Sequence, residues 1–377
     1  MPIKKSKKIA PFLAKPKIAF IISSLTPGGA ERVVSTLANA FVEDYHVLII
    51  TLYNNKPFYS LDERVQLVSC KLTYSNKKHI LHSLAINYKL IRRIYIILKK
   101  EKADLAIGFM TTTNIYTIIA SQLLNIPNII SERTHPEYSS LTNLWSKIRR
   151  QVYPYCGKLI VQTRVIKTYF EEFLGPSKIN IIRNPLSESM LNFQDSNIKG
   201  EHIVLSVGRL TAVKNHKMLI EAFCELDIDH WKLIIIGEGR LRNELELLIK
   251  KYQAEDRIDL IGTVNNVQDF YNRAGIFAFT SNYEGFPNTL TEAMAFGLPC
   301  VSTNCPSGPS EIIDSGKNGL LIPVGDKNAL KVELKRLIEN PNLRKNLGID
   351  AKESTRNYEI AIIKSQWKLI IDTALKI

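Results

Sequence analysis

The sequence predicts an α/β protein made of two doubly wound parallel-sheet domains, and three observations carry that expectation. At 377 residues the chain exceeds what one hydrophobic core usually serves. Short apolar runs alternate with helical patterns along nearly its whole length, the rhythm of a parallel sheet covered on both faces. Between residues 184 and 201 the rhythm stops in a stretch containing Pro185, Ser187, Ser189, Asp195, Ser196 and Gly200, which reads as a linker. The expected division is a basic lead over 1–16, an N-terminal domain over 17–186, a linker over 187–200 and a C-terminal domain over 201–377.

Residues 17–23 form an apolar run bounded by turn residues, as suits a strand buried on both faces. A loop over 25–29 leads into 30–41, where Val33, Val34, Leu37 and Phe41 share one helical face. Further strands are expected at 46–52, 65–69, 104–109, 128–131, 158–162 and 180–182, with helical patterns between most of them. A second series follows at 203–207, 232–236, 257–261, 276–280, 299–302 and 319–322, and the chain closes with one long helical stretch over 329–375. Two such halves leave a cleft at the carboxyl ends of both sheets.

Composition narrows the function. A hydrophobic content of 45% with 23% charged residues excludes a disordered chain. The net charge of +14 implies an anionic partner, whether nucleic acid, acidic lipid or a phosphorylated substrate. Cys70, Cys156, Cys224, Cys300 and Cys305 are scattered without Cys-x-x-Cys or zinc spacing, so they read as free thiols in a reducing compartment, with no metal and no cofactor. Lys4, Lys5, Lys7 and Lys8 precede a stretch too short and broken for a signal peptide. No uncharged apolar run reaches the roughly 18 to 20 residues of a membrane span, so any membrane role is expected to be peripheral.

The chemistry concentrates in Glu284-Gly285-Phe286-Pro287-Asn288-Thr289-Leu290-Thr291-Glu292, which follows a strand and opens a helix stopping near Gly297 and Pro299. The amides of Asn288, Thr289 and Leu290 are expected to be free at that helix start, where the dipole favours an anion such as a pyrophosphate. Ionised Glu284 and Glu292 are pure acceptors, which suits the hydroxyls of a sugar and a ribose. Arg209 and Lys214, in Ser206-Val207-Gly208-Arg209-Leu210 and Lys214-Asn215-His216, put two cations at a strand's carboxyl end, where they can neutralise a departing diphosphate. On the other side, Gly28 and Gly29 in Pro27-Gly28-Gly29-Ala30-Glu31-Arg32 allow close approach to the backbone beside a helix start. This is not Gly-x-Gly-x-x-Gly, so a dinucleotide site is disfavoured. Ser131-Glu132-Arg133-Thr134-His135 ends another strand pointing into the cleft. Asp227-Ile228-Asp229 has an Asp-x-Asp pattern but precedes the strand at 232–236, at the wrong end for the cleft, and reads as an exposed turn.

Glu284 and Glu292, seven residues apart, together with the Gly208-Arg209 and Lys214 stretch, resemble the Glu-x7-Glu family 4 retaining glycosyltransferases, which have the GT-B fold. The resemblance covers the chain from Lys17 onward and is strongest over 203–322. It implies a nucleotide sugar, expected to be a UDP-sugar, as donor. Arg209 and Lys214 would hold its diphosphate, with Gly208, Phe286, Pro287, Asn288, Thr289 and Leu290 around it. Gly28 and Gly29 would face the phosphates and the reacting sugar, and Val264, in Ile261-Gly262-Thr263-Val264, would lie by the nucleobase. Ile236-Gly237-Glu238-Gly239 is similar to the family's Gly-x-Gly turn. Many relatives place a histidine where Arg133 stands. Glu132, Arg133 and His135 are therefore all candidates for the contact with the reacting sugar, and His135 enters the catalytic set with Arg209, Lys214 and Glu284. The resemblance also implies that no dedicated nucleophile and no metal are needed, and that the last helix can cross back to the first domain.

The helical pattern over 77–100 gathers Lys89, Arg92, Arg93, Lys99 and Lys100 on one side among apolar residues. Such a helix can lie on an anionic bilayer or beside a lipid pyrophosphate, or can be a packed helix with a solvated basic face. Lys147, Arg149 and Arg150 extend the basic surface, and Trp145, Tyr153 and Tyr155 are suitable interfacial aromatics. The expected function is transfer of a hexose or N-acetylhexosamine to a glycan, held as a polyprenyl-diphosphate-linked acceptor on the cytoplasmic face of the plasma membrane. A soluble acceptor, a nucleotide-sugar epimerase and a basic nucleic-acid-binding protein are the alternatives. The Glu-x7-Glu placement disfavours the epimerase, and neither aromatic stacking platforms nor a recognition helix supports nucleic acid.

Overall fold

A computed structural model describes residues 15–72, 80–138, 141–194, 200–228 and 230–377. Most of the basic lead, Lys77 and Lys78 of the basic stretch, 195–199 of the linker, and Asp229 of the Asp-x-Asp pattern lie outside the described residues.

The first domain contains β1 (Lys17–Ile22), α1 (Gly29–Phe41), β2 (His46–Tyr53), β3 (Gln66–Leu72), α2 (Ile80–Lys100), β4 (Leu105–Phe109), α3 (Thr111–Leu124), β5 (Asn128–Ser131), α4 (Asn143–Val152), β6 (Lys158–Val161), α5 (Arg164–Glu171) and β7 (Ile179–Ile181). Its strands are all parallel in the order β3-β2-β1-β4-β5-β6-β7. Ile18 to Ile22 are all fully buried, which is why β1 reads as an unbroken apolar run and not as an alternation.

The connection contains a short helix, α6 (Glu188–Leu191), inside the segment that the sequence presents as linker. The second domain runs β8 (Ile203–Val207), α7 (His216–Cys224), β9 (Lys232–Ile236), α8 (Arg242–Lys251), β10 (Ile258–Gly262), α9 (Val267–Arg273), β11 (Ile276–Phe279), α10 (Asn288–Ala295), β12 (Cys300–Thr303), α11 (Pro309–Ile312) and β13 (Leu320–Ile322). The order is β10-β9-β8-β11-β12-β13, again parallel.

The long helical stretch expected over 329–375 is three helices: α12 (Lys327–Glu339), α13 (Pro341–Ser354) and α14 (Ile360–Leu375). Pro341 removes an amide and forces Asn340 out of the helical region (φ −119°, ψ 85°), and a turn at Arg356–Tyr358 makes the second break. The breaks matter because α14 leaves the second domain. Ile360, Ile363, Trp367, Ile370 and Ile371 are buried with Phe20, Phe41 and Phe109 of the first domain. Trp367 stacks on Phe109 at 5.9 Å and 21°. The two chain crossings run side by side, with Leu186 N donating to Tyr358 O at 2.8 Å.

In each sheet the strand order reverses between two neighbours, β1 and β4 in the first and β8 and β11 in the second. Ligands of doubly wound sheets bind beyond the carboxyl ends of such strands. The loops there carry Gly28-Gly29 after β1, Gly208 to Lys214 after β8, and Glu284 to Asn288 after β11.

Candidate active site

The loop after β8 is folded tightly by glycine. Gly237 has φ +144°, and a Cβ there would lie 2.0 Å from Gly208 O, so the turn after β9 presses directly on the turn after β8. His216 Nε2 lies 3.3 Å from Gly208 O and fixes the loop from behind. Burial, with the Lys214 charge beside it, lowers the His216 pKa to about 4, so this imidazole is neutral.

Lys214 Nζ donates to Glu284 Oε1 at 2.5 Å and sits 5.1 Å above the Phe279 ring. Ser281 Oγ donates to the same oxygen at 2.7 Å. The two loops are tied together, since Thr280 Oγ1 donates to Lys214 O at 2.9 Å and Asn282 Nδ2 to Ala212 O at 2.9 Å. Lys214 and Glu284, 70 residues apart in sequence, thus form one ion pair between the two switch-point loops. A carboxylate paired in this way accepts from a hydroxyl with its remaining lone pairs, while the ammonium keeps donors for an anion.

The helix start at α10 departs from expectation. Asn288 N donates to Phe286 O at 3.0 Å and Leu290 N to Pro287 O at 3.1 Å, so a tight turn at Pro287 consumes two of the three amides assigned to an anion. The Phe286 and Leu290 side chains are core residues, Phe286 lying edge-on to Tyr358. Pro287 packs beneath Gly308, where φ is +127° and a Cβ would lie 2.4 Å from Pro287 Cδ. Thr289 instead offers a buried hydroxyl with no partner. Asn288 turns across the cleft and accepts from Asn184 Nδ2 at 2.7 Å. Val264 is half-buried against the core of the second domain.

Glu292 lies one turn into α10, 4% exposed, and both its oxygens are engaged. Tyr271 donates to Oε2 at 3.1 Å, and Arg32 of α1 crosses from the first domain to Oε1. Burial raises the Glu292 carboxyl, while Arg32 and Tyr271 pull it down. Gly28 precedes α1 because the Glu31 side chain, three residues on, folds back over it: a Cβ on Gly28 would lie 2.1 Å from Glu31 Oε2. Burial raises the Glu31 carboxyl, and its own backbone amide and the Arg209 charge oppose that rise. Gly29 abuts α10, a Cβ there falling 2.8 Å from Asn288 Nδ2.

The three candidates after β5 separate by burial. Glu132 points into the first domain, accepting from Tyr153 and from Thr111 Oγ1 at 3.0 Å; it is fully enclosed and raised by burial, and does not face the cleft. Arg133 lies over Phe109 at 4.9 Å and donates to Asn184, with Nε and Nη2 buried and unpartnered. Burial lowers its guanidinium to about 9, against the pull of the neighbouring Glu132 charge. His135 is buried rather than a solvated loop residue. It accepts from Glu137 N at 3.3 Å and lies 4.8 Å from Tyr138, which stacks on Tyr283 of the second domain at 4.7 Å. Burial lowers the His135 pKa.

The cleft therefore joins Gly28, Gly29, Arg133 and His135 on one side to Gly208, Lys214, Glu284, Asn288 and Glu292 on the other. Arg32, Tyr271, Asn184 and Ser281 belong to it as well. Arg32 stands inside the quoted glycine motif, whereas Tyr271 and Asn184 carry no local sequence signal.

The five cysteines are all free, four of them buried, and Cys300 and Cys305 are not linked. On α2, Leu84, Ala85, Tyr88, Lys89, Arg92, Ile96, Lys99 and Lys100 are exposed. Arg93 departs from the expected basic face because its guanidinium turns in to the Cys70 carbonyl at the edge of β3. Arg149 also leaves the basic surface: it is 1% exposed, packed over Tyr169. No helix among the described residues is long and apolar enough to cross a membrane.

The fold and this cleft define a two-domain protein with a polar and charged site between facing switch points. Comparison makes the class specific. Residues 27–189 match Glycosyltransferase Family 4 and residues 189–354 match Glycosyl transferases group 1. The chain is 34% identical over 358 residues (94% of this chain, 98% of the relative) to a Campylobacter jejuni alpha-1,4-N-acetyl-D-galactosaminyltransferase, whose name gives a diNAcBac-PP-undecaprenol-linked acceptor. It is 31% identical over 359 residues (91% and 96%) to a second transferase of that organism, N-acetylgalactosamine-N,N'-diacetylbacillosaminyl-diphospho-undecaprenol 4-alpha-N-acetylgalactosaminyltransferase. Anabaena HepE in complex with UDP-glucose shares the fold, with a TM-score of 0.77 at 19% identity over 95% of this chain and 99% of that one. The chain belongs to the family 4 glycosyltransferases, and its fold is GT-B.

Proposed function

We propose that this glycosyltransferase moves a hexose or N-acetylhexosamine from a UDP-sugar, with retention at the anomeric carbon and without a metal, to a polyprenyl-diphosphate-linked glycan. The observation that carries this reading is the Lys214–Glu284 pair at 2.5 Å between the two switch-point loops. It supplies in one place an acceptor for a sugar hydroxyl and a cation for a leaving phosphate. Glu292 is the ribose ligand, Arg209 is the second cation on the diphosphate, and Thr289 offers its hydroxyl to the phosphates. Transfer on one face lets the departing phosphate oxygen take the acceptor proton, so that retention follows without a protein nucleophile. His135, which packs on Tyr138 where Tyr138 meets Tyr283, is the histidine we assign to the reacting sugar.

The lipid-linked acceptor is favoured by the two relatives whose names give undecaprenol-linked substrates. The exposed face of α2 supports it too, placing Leu84, Tyr88 and Ile96 among Lys89, Arg92, Lys99 and Lys100, a mixture that suits the cytoplasmic surface of an anionic bilayer.

A panel of UDP-, GDP- and dTDP-sugars, scored for thermal shift and for donor hydrolysis, tests the donor. Stabilisation by GDP- or dTDP-sugars and not by UDP-sugars would overturn the UDP assignment. The anomeric configuration of the product, read by NMR, tests retention, and an inverted product would discard it. Sedimentation with anionic vesicles against single-stranded RNA at matched salt tests the surface. Retention on RNA alone would point to the nucleic-acid alternative.

A further inference from the structure

Arg32 has no part in the reaction as drawn so far, yet its guanidinium is the group seated on Glu292. Nη2 of Arg32 donates to Glu292 Oε1 while Tyr271 holds Oε2 at 3.1 Å. The Glu292 side chain is 5% exposed with a partner on each oxygen, so a ribose that reaches it competes with Arg32 for Oε1. A displaced guanidinium in a closing cleft needs another anion, because an unpaired buried charge is strongly disfavoured. The anion that arrives with the ribose of a nucleoside diphosphate is its own diphosphate. Arg32 is well placed for it. Helix α1 begins at Gly29 against the Asn288 side chain, and Arg32 follows three residues later on the same seam. The neighbouring Glu31 carboxylate interacts with Arg209, so the dipeptide Glu31-Arg32 offers Arg209 and Glu292 a partner each from the opposite domain.

We infer that Arg32 is an exchange residue for the nucleotide: it holds Glu292 in the free protein, yields it to the ribose, and moves to the diphosphate. This rests on the nucleotide-sugar reading above. It makes Arg32 a donor-binding residue of the first domain, and it makes a nucleoside lacking phosphates a poor ligand. Such a molecule breaks the Arg32–Glu292 pair and brings nothing for the guanidinium.

The test is titration calorimetry of uridine and UDP with the wild-type chain, Arg32→Met and Arg32→Lys, with thermal unfolding to report folding. In Arg32→Met the ratio of UDP to uridine affinity is expected to fall by about tenfold or more, as loss of one charge-assisted contact predicts, with uridine binding unchanged or improved. Arg32→Lys, which keeps the charge and loses the fork, is expected to lie between. An unchanged ratio in a folded Arg32→Met would show a static strut and overturn the exchange. If Arg32→Met does not fold, Arg32→Lys decides, and a wild-type ratio in it is the overturning result. Absence of binding by UDP and every other nucleoside diphosphate to the wild-type chain would remove the nucleotide reading itself, a different failure from an unchanged ratio.

Discussion

Gly285→Ala isolates what the distance between the domains contributes. An alanine Cβ at this position would lie 2.1 Å from Arg133 O, 2.7 Å from its carbonyl carbon and 2.9 Å from Thr134 Cα. Comfortable contact for such atoms is about 3.5 Å, so the two loops must part by more than about 1 Å. Both sides are backbone, and no rotamer change absorbs the clash. Gly285 belongs to the second domain and Arg133 to the first, so what opens is the seam between Glu284 and His135. Overpacking of this kind destabilises by roughly 1 to 3 kcal/mol, and a misplacement of about 1 Å at a reacting centre lowers the rate by about 100-fold. Initial-rate sugar transfer is therefore expected to lose about two orders of magnitude in kcat/KM, while UDP affinity measured by calorimetry changes by less than about threefold. A variant with unchanged UDP binding and wild-type transfer would show that catalysis does not require this closeness, and would refute the reasoning.

Four further outcomes follow from the same geometry. Lys214→Ala is expected to abolish transfer with the fold intact; Glu292→Gln also abolishes it and lowers stability by about 2 to 3 kcal/mol in denaturant melts, because Arg32 loses its charged partner. Trp367→Ala removes a fully buried ring from the first-domain core and is expected to cost about 3 to 5 kcal/mol; a change under 1 kcal/mol would mean that α14 is not needed there. His216 titrates near 4 in the folded chain and near its ordinary 6.5 when unfolded. Between those values the unfolded chain binds the extra proton. Its contribution is complete above 6.5 and is lost as the pH falls toward 4, on the order of 3 kcal/mol in all. Unfolding curves of wild type and His216→Gln should therefore converge on acidification, and parallel curves would contradict this.

Much of the fold was legible because both sheets are parallel and buried on two faces. Each strand then reads as an apolar run that local pattern alone reveals, and the ion-pairing glutamates sit in one contiguous motif. The two breaks in the terminal helical stretch were less visible, since the 3.6-residue rhythm continues through Pro341 and resumes after Tyr358. The amides at Asn288 and Leu290 were misread for a different reason: a proline turn can satisfy an amide locally, and whether it does depends on the backbone angles of Pro287 (φ −85°, ψ 74°). Arg93 and Arg149 illustrate the limit of charge patterning. Their spacing is that of a surface stripe, yet a carbonyl at a sheet edge and a pair of aromatic rings draw them inward. The Arg32–Glu292 contact spans 260 residues, and no pattern in either segment announces the other.

The passage of α14 into the first domain also sets an order of assembly during synthesis. The face formed by Phe20, Phe41 and Phe109 is complete in sequence by residue 109, but its cover arrives only with Ile360 to Ile371. Until the ribosome has emitted that helix, the earliest-made half of the protein carries an apolar surface without its lid. The later-made half has its own core around Leu219, Leu233 and Leu334 and does not depend on that face. The leading half can thus begin to fold on its other core, around Ile94, Tyr116 and Phe170, and is sealed over Phe20, Phe41 and Phe109 only when the last helix arrives.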